Sequence, residues 1–213
     1  MEFFDLALRR RMTRRFDPRP IPDEALARLV AAGASAPTAG KTSGVELLVL
    51  KSPERRALFW DLASDRTWRE DGHESAGVLA APVIIVPVAD PDAYVARYAR
   101  PDKVSSALAG LVAGEWPVPY WIVDASFAAM LILLAAADAR LGALFFQLHA
   151  PSETVLAGLG LPATRVTIGA LAIGHPAASA PADRPQPDAA DRALRPGIAP
   201  VRRPAFSSRG RRG

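Results

Sequence analysis

The chain has 213 residues, half of them hydrophobic, which suits one domain with a sizeable core, or such a domain with an arm. It has no cysteine, which excludes disulfides, thiolate metal sites and a cysteine nucleophile, and fits a reducing cytoplasm. The formal charge of +4 resides at the two ends: without Arg9, Arg10, Arg11, Arg14, Arg15, Arg202, Arg203, Arg209, Arg211 and Arg212 it would be −6, so an anionic partner is expected there.

Phe3, Phe4, Leu8 and Met12 have helical spacing, and the arginines behind them complement the C-terminal end of a helix dipole. Those arginines also arrive too early for the apolar core of a signal peptide. Pro18, Pro20 and Pro22 stiffen the next segment, and Pro22-Asp23-Glu24 reads as a helix start, with Leu26, Leu29, Val30 and Gly33 on one face. Residues 34–44 (ASAPTAGKTSG) read as a loop of small residues, residues 45–50 as a strand. Pro53 opens a helix that carries Leu58, Phe59 and Leu62, and residues 65–77 read as a polar surface loop. Residues 83–88 are nearly all apolar, the pattern of a central strand.

Residues 90–119 have no sustained period and read as a long loop of the kind that serves as a lid or binding loop. Residues 124–139 form the strongest predicted helix, apolar almost all round and so expected to be buried on every side. Its apolar run, 125–137, falls short of the roughly 20 residues that span a bilayer. A short strand at 144–148, a helix at 151–159 capped by Ser152 and a strand at 166–173 ending at Gly174 follow. Six prolines and many alanines between residues 176 and 200 give a linker or extended arm. Strands separated by helices predict a mixed α/β or α+β domain, without internal repeats.

The chain lacks the glycine fingerprint of dinucleotide-binding folds, a Walker phosphate loop and the nucleophile elbow of hydrolases. Its three histidines, His73, His149 and His175, have neither metal-site spacing nor a nucleophile beside them. No metal and no catalytic side chain are therefore predicted, and an enzyme built on this chain would rely on a cofactor.

One ordered combination remains. RRMTRRF (residues 10–16) is followed by APTAGKTSG before a strand, then by the apolar helix, LGALFF and an arginine-bearing C-terminal segment. This resembles the FMN-dependent nitroreductase family, whose pattern is R-R-S-x-R-x-F, then A-P-S-x-x-N-x-Q-P-W before a strand, a G-L-G segment and a basic C-terminal segment. The likeness covers roughly residues 3–176 and the arm. Residues 97–103 and 116–121 look like an elaborated central loop that marks a subgroup.

The resemblance implies an α+β fold: a three-layer sandwich with a mostly antiparallel central sheet flanked by helices, in an intertwined dimer. Residues 1–176 would form the FMN-binding domain, 177–200 an extended arm, and 201–213 a basic segment partly belonging to the FMN site. Arg10 and Arg11 would hold the FMN phosphate and ribityl chain, which suits the bidentate, charge-assisted hydrogen bonds of arginine. Met12 takes the usual serine position, and Arg14 would lie near the pyrimidine edge of the flavin. Pro37, Thr38, Ala39 and Gly40 would pass the flavin ring. Phe145, Phe146 and Gln147 fall where a backbone N–H approaches the ring, and His73 at a position often polar and flavin-facing in relatives. Arg203 and then Arg202 match the C-terminal phosphate-binding position, and the arm would reach the partner subunit. Arg9, Arg15, Arg209, Arg211 and Arg212 are read as solvated charge. Lys41, Trp116, Tyr120 and Trp121 are candidate substrate contacts; for the three aromatics, packing of the central loop is the alternative.

The implied activity passes hydride from NAD(P)H through FMN to a small organic acceptor, such as a nitroaromatic or quinone, in ping-pong order in a cytoplasmic homodimer. Two alternatives share the cofactor: a dehydrogenase of a biosynthetic intermediate, and a flavin-binding protein without catalysis. A nucleic-acid-binding protein is the alternative from another class, compatible with the basic tail but without aromatic residues among the arginines or a recognisable module. No membrane partner is expected.

Overall fold

The computed structural model describes residues 2–72 and 75–178. His73, most of the arm and the basic segment 201–213, with Arg202, Arg203, Arg209, Arg211 and Arg212, lie outside the described residues. In chain order the elements are α1 (Phe3–Arg9), β1 (Phe16–Asp17), α2 (Asp23–Ala34), β2 (Val45–Leu50), α3 (Pro53–Ala63), α4 (Arg66–Asp71), α5 (Ser75–Leu79), β3 (Val83–Ala89), α6 (Pro91–Tyr98), α7 (Tyr120–Asp138), β4 (Gly142–Phe146), α8 (Ser152–Gly158), β5 (Val166–Thr167) and β6 (Ala170–Pro176).

The strands form one sheet in the order β1-β6-β3-β2, with β4 also on β6 and β5 on β3, and every strand pair is antiparallel. β3 is buried along its whole length because both of its faces are covered. Its alternate residues Ile84, Val86 and Val88 pack on one side with Phe59 and Trp60 of α3 and Val155 and Leu156 of α8. Val83 and Ile85 pack on the other with Leu26 and Leu29 of α2 and Ile132 and Leu133 of α7. The period of two along β3 thus builds two cores, each side chain contributing on the order of 1.5–3 kcal/mol. The result is the expected three-layer α+β sandwich.

Local chemistry sets several element ends that the sequence reading missed. Residues 65–77 are not a loop: Asp65 accepts a hydrogen bond from the Trp68 N–H at 2.9 Å and starts α4, which ends at Gly72 in the left-handed region. Residues 90–119 are not loop throughout either, since Asp90 caps α6 by accepting from the Asp92 N–H, and Pro91 occupies its first turn. Ser152 does not cap α8, because Pro151 holds the cap position without a side-chain bond. The predicted strand 166–173 is divided at Gly169, whose φ of +133° favours glycine and whose Cα lies against the Phe146 carbonyl; an added Cβ would sit 2.4 Å from that oxygen.

The helix α7 corrects two expectations. It begins at Tyr120 and has 19 residues, so by length and composition it reaches what a bilayer crossing needs. Its packing on the sheet makes it a core helix, with Trp121, Asp124, Ala125, Ala128, Ala129, Ile132, Leu133 and Ala136 buried. It is not buried on every side: Phe127 is 46% and Met130 49% exposed. α1 packs against α7 and exposes Phe3 and Phe4 further.

Candidate functional site

The basic segment leaves α1 and runs beside β4. Met12 forms a parallel bridge with Ala143, and the Thr13 N–H donates to the Ala143 carbonyl at 2.8 Å. The chain then enters β1, where Phe16 faces Pro176 and Asp17 faces His175. This path gives neighbouring residues different environments. Arg10 is half-buried, and its Nη1 is buried with no hydrogen-bond partner among the described residues. Arg11 is exposed and folds back, its Nη1 donating to the Leu8 carbonyl at 2.9 Å and the Arg10 carbonyl at 3.1 Å. That contact satisfies orphan carbonyls at the end of α1. Met12 packs between the two cores, and its sulfur accepts from the Phe145 N–H at 3.5 Å. Arg14 and Arg15 are exposed.

Among the described ion pairs none involves Arg10, Arg11 or Arg14. A buried guanidinium N–H without an acceptor costs on the order of 1–3 kcal/mol. The donor set is therefore one that a phosphate would complete, and the residues present fit an anionic cofactor.

The second group of predicted residues forms a tight turn between α2 and β2. Ala39–Lys41 is one turn of 3-10 helix in which Gly40 (φ +66°) and Lys41 (φ +57°) are both left-handed. For lysine this conformation costs roughly 1–2 kcal/mol, and it persists because the surroundings fix it. Asp124, inside the first turns of α7, accepts from the Ala39 N–H at 2.8 Å and from the Tyr94 hydroxyl at 2.7 Å, both on Oδ2. Burial, then the bond to this carboxylate, push the Tyr94 hydroxyl well above the usual tyrosine range, so it remains a donor. Arg97 donates its Nε to the Gly40 carbonyl at 2.8 Å and grips Asp102 through two further bonds of 2.8 and 2.7 Å. The Arg97 guanidinium in turn holds the Asp102 carboxyl below the usual carboxylate range.

Sequence reasoning missed Asp124, Tyr94 and Arg97. For Asp124 the available signal was an acid near the start of a helix that, apart from Ser126 and the terminal Asp138, is apolar or aromatic.

Between this turn, α2, β2 and α7 lies a cleft of about 650 Å³. Val30, Val45, Leu47 and Ala128 give it apolar walls, and Lys41 and Asp124 give it charge. Pro37 and Thr38 line it, while Ala39 and Gly40 sit behind them in the turn. No residue of the basic segment or of β4 contributes to it. Phe145 and Phe146 are half-buried at the end of β4, Phe146 stacked on Trp60 with ring centroids 5.3 Å apart, and Gln147 is exposed just beyond. One chain thus carries two separate groups of candidate residues. Trp116 and Trp121 are buried against Tyr94, with Tyr120 packed on Trp116, and none of the three lines the cleft. For these aromatics the geometry favours packing over substrate contact.

The family model described as Nitroreductase family matches residues 7–175 of this chain. A putative nitroreductase in complex with FMN from Desulfovibrio desulfuricans has 24% sequence identity and a TM-score of 0.63, with 91% of this chain and 96% of that one covered. An NADPH:FMN oxidoreductase from Vibrio harveyi, complexed with NAD+, has 22% identity and a TM-score of 0.63, covering 86% of this chain and 72% of that one. A nitroreductase family protein from Clostridium novyi NT has 18% identity and a TM-score of 0.63, covering 84% and 87%. At these identities the structures share the fold.

Proposed function

The chain belongs to the nitroreductase family, and from that premise we propose that it is a homodimeric FMN-dependent oxidoreductase. It would draw on NAD(P)H and reduce a small organic acceptor such as a nitroaromatic or a quinone. The observation that carries the reading is the buried Nη1 of Arg10, which has no partner among the described residues, in a basic segment whose Arg10, Arg11 and Arg14 have no acidic partner among the described ion pairs. FMN, when bound, supplies transfer of two electrons from a reduced nicotinamide to the acceptor, in ping-pong order.

The residues of this chain bind, orient and shield. Arg10 would hold the phosphate, and Arg203 and Arg202 are proposed as further phosphate-binding donors. Arg11 contributes from the end of α1, where its other contacts steady that end. Arg14 would bring positive charge to the flavin, and Met12, Phe145, Phe146 and Gln147 would help to hold it. Pro37, Thr38, Ala39 and Gly40 present backbone, and Lys41 stands at the substrate side. No side chain is assigned an acid–base step.

The dimer is argued from two features. The basic segment with β4 and the turn with its cleft are separate on one chain, so two chains would complete the site. The outer face of α7 repeats apolar residues at Val123, Phe127, Met130 and Leu134 with helical spacing, and α1, in contact with α7, exposes Phe3 and Phe4.

Anaerobic mixing of the purified protein with NADPH or NADH tests the activity. Loss of the visible flavin absorbance, restored by adding a nitroaromatic or a quinone, is the expected result. Bound FMN that neither nicotinamide bleaches would overturn the enzymatic reading and leave a flavin-holding protein.

A further inference from the structure

We infer that the cleft between α2, β2 and α7 binds a ring-sized ligand through a neutral hydrogen-bond donor, an O–H or amide N–H, received by Asp124. Asp124 is 2% exposed yet lines the cleft. Its Oδ2 is occupied twice, by the Ala39 N–H and the Tyr94 hydroxyl. Its Oδ1 receives no donor from the described residues. That oxygen is not among the buried side-chain atoms lacking a partner, so it is open to water in the cleft, and a ligand that fills the cleft and expels this water must supply a donor in its place or leave the carboxylate unpaired. Water can serve that oxygen when no ligand is there, and a ligand donor replaces it.

Charge decides between a neutral donor and a cation. A lone carboxylate would attract an ammonium group, but Lys41 lines the same cleft. It has no acidic partner among the described ion pairs. Its charge opposes a second cation, while a neutral O–H or N–H carries no such penalty. Val30, Val45, Leu47 and Ala128 then cover the apolar part of a ring. A volume of about 650 Å³ lies within the range of small-molecule sites. That this ligand is the electron acceptor rests on the function proposed above; its binding does not.

Three probes of the same skeleton test the inference: 3-nitrobenzyl alcohol, its methyl ether and protonated 3-nitrobenzylamine, titrated calorimetrically into the purified full-length protein. The alcohol should bind about tenfold or more tighter than the ether, as expected for a hydrogen bond to a charged acceptor, and the ammonium no tighter than the alcohol. In Asp124→Asn the amide oxygen keeps the Ala39 and Tyr94 bonds while an NH2 group faces the cleft, so the alcohol should lose its advantage over the ether. An unchanged preference in that variant, an ammonium that binds tightest, or no binding of any probe would overturn the inference. If Asp124→Asn fails to fold, the order of the three probes on the wild-type chain still decides. Flavin bleaching by NAD(P)H without probe binding refutes the cleft alone, and probe binding without bleaching refutes the enzyme alone.

Discussion

Arg10→Ala is expected to weaken FMN binding by about tenfold to a hundredfold, measured by quenching of flavin fluorescence, while leaving the flavin-free protein no less stable. The two halves of this result have one cause. Arg10 Nη1 is buried without a partner among the described residues, so the guanidinium makes no hydrogen bond to them there that the mutation could break. Its removal relieves an unsatisfied donor, and the fold loses only the packing of the side-chain stem. Toward a phosphate dianion the same group supplies charge-assisted hydrogen bonds worth roughly 1.5–3 kcal/mol, which sets the expected loss. Arg203→Ala should weaken binding similarly, and Arg211→Ala should not. Equal effects from all three would mean that the arginines act as diffuse charge and that the assignment of Arg10 is wrong.

The second large effect concerns assembly. Phe127→Glu with Met130→Glu is expected to turn the proposed dimer into a monomer, raising its dissociation constant about a hundredfold or more. Each of these side chains is nearly half exposed on a single chain. Burying a phenylalanine or methionine contributes on the order of 1.5–3 kcal/mol. A glutamate buried in their place without a partner costs several kcal/mol more. Neither residue belongs to the cores, so the folded monomer should keep its helical signal in circular dichroism. Light scattering separates the outcomes: a variant that stays dimeric at wild-type affinity would show that α7 faces solvent or another partner, and would remove the main support for a shared site.

The parts legible in the sequence were those with a strong local signal. Residues 45–50 and 83–88 are apolar runs between turn residues, and both lie in strands, β2 and β3. Pro22 and Pro53 marked the starts of α2 and α3. Where the signal was weak, capping chemistry was decisive. α4 and α6 are short helices started by Asp65 and Asp90, too short to show a period against their polar surroundings. The start of α7 was misplaced because Tyr120 and Trp121 belong by composition to the aromatic segment before it, although the backbone is already helical after Pro119.

The site was legible in its charge and less so in its division of labour. The cluster of arginines stood out, yet no pattern distinguishes Arg10 from Arg11. That difference arises because the chain turns extended after α1, leaving one side chain half-buried and the other folded onto the helix end. Asp124 was hidden for a different reason. Its partners are Tyr94 and Ala39, 30 and 85 residues away, and only the packing of α6 and α7 brings them together. The turn at Gly40 and Lys41 likewise depends on Arg97, a long-range contact that residue spacing does not encode.

Sedimentation velocity followed at a flavin wavelength decides whether two chains jointly hold FMN. Flavin absorbance should travel with the dimer alone, and should appear in the free-FMN boundary when dilution or Phe127→Glu with Met130→Glu produces monomer. Flavin that sediments with monomer would show that one chain holds FMN alone, and a protein that carries no flavin and takes up none when FMN is added would not be a flavoprotein.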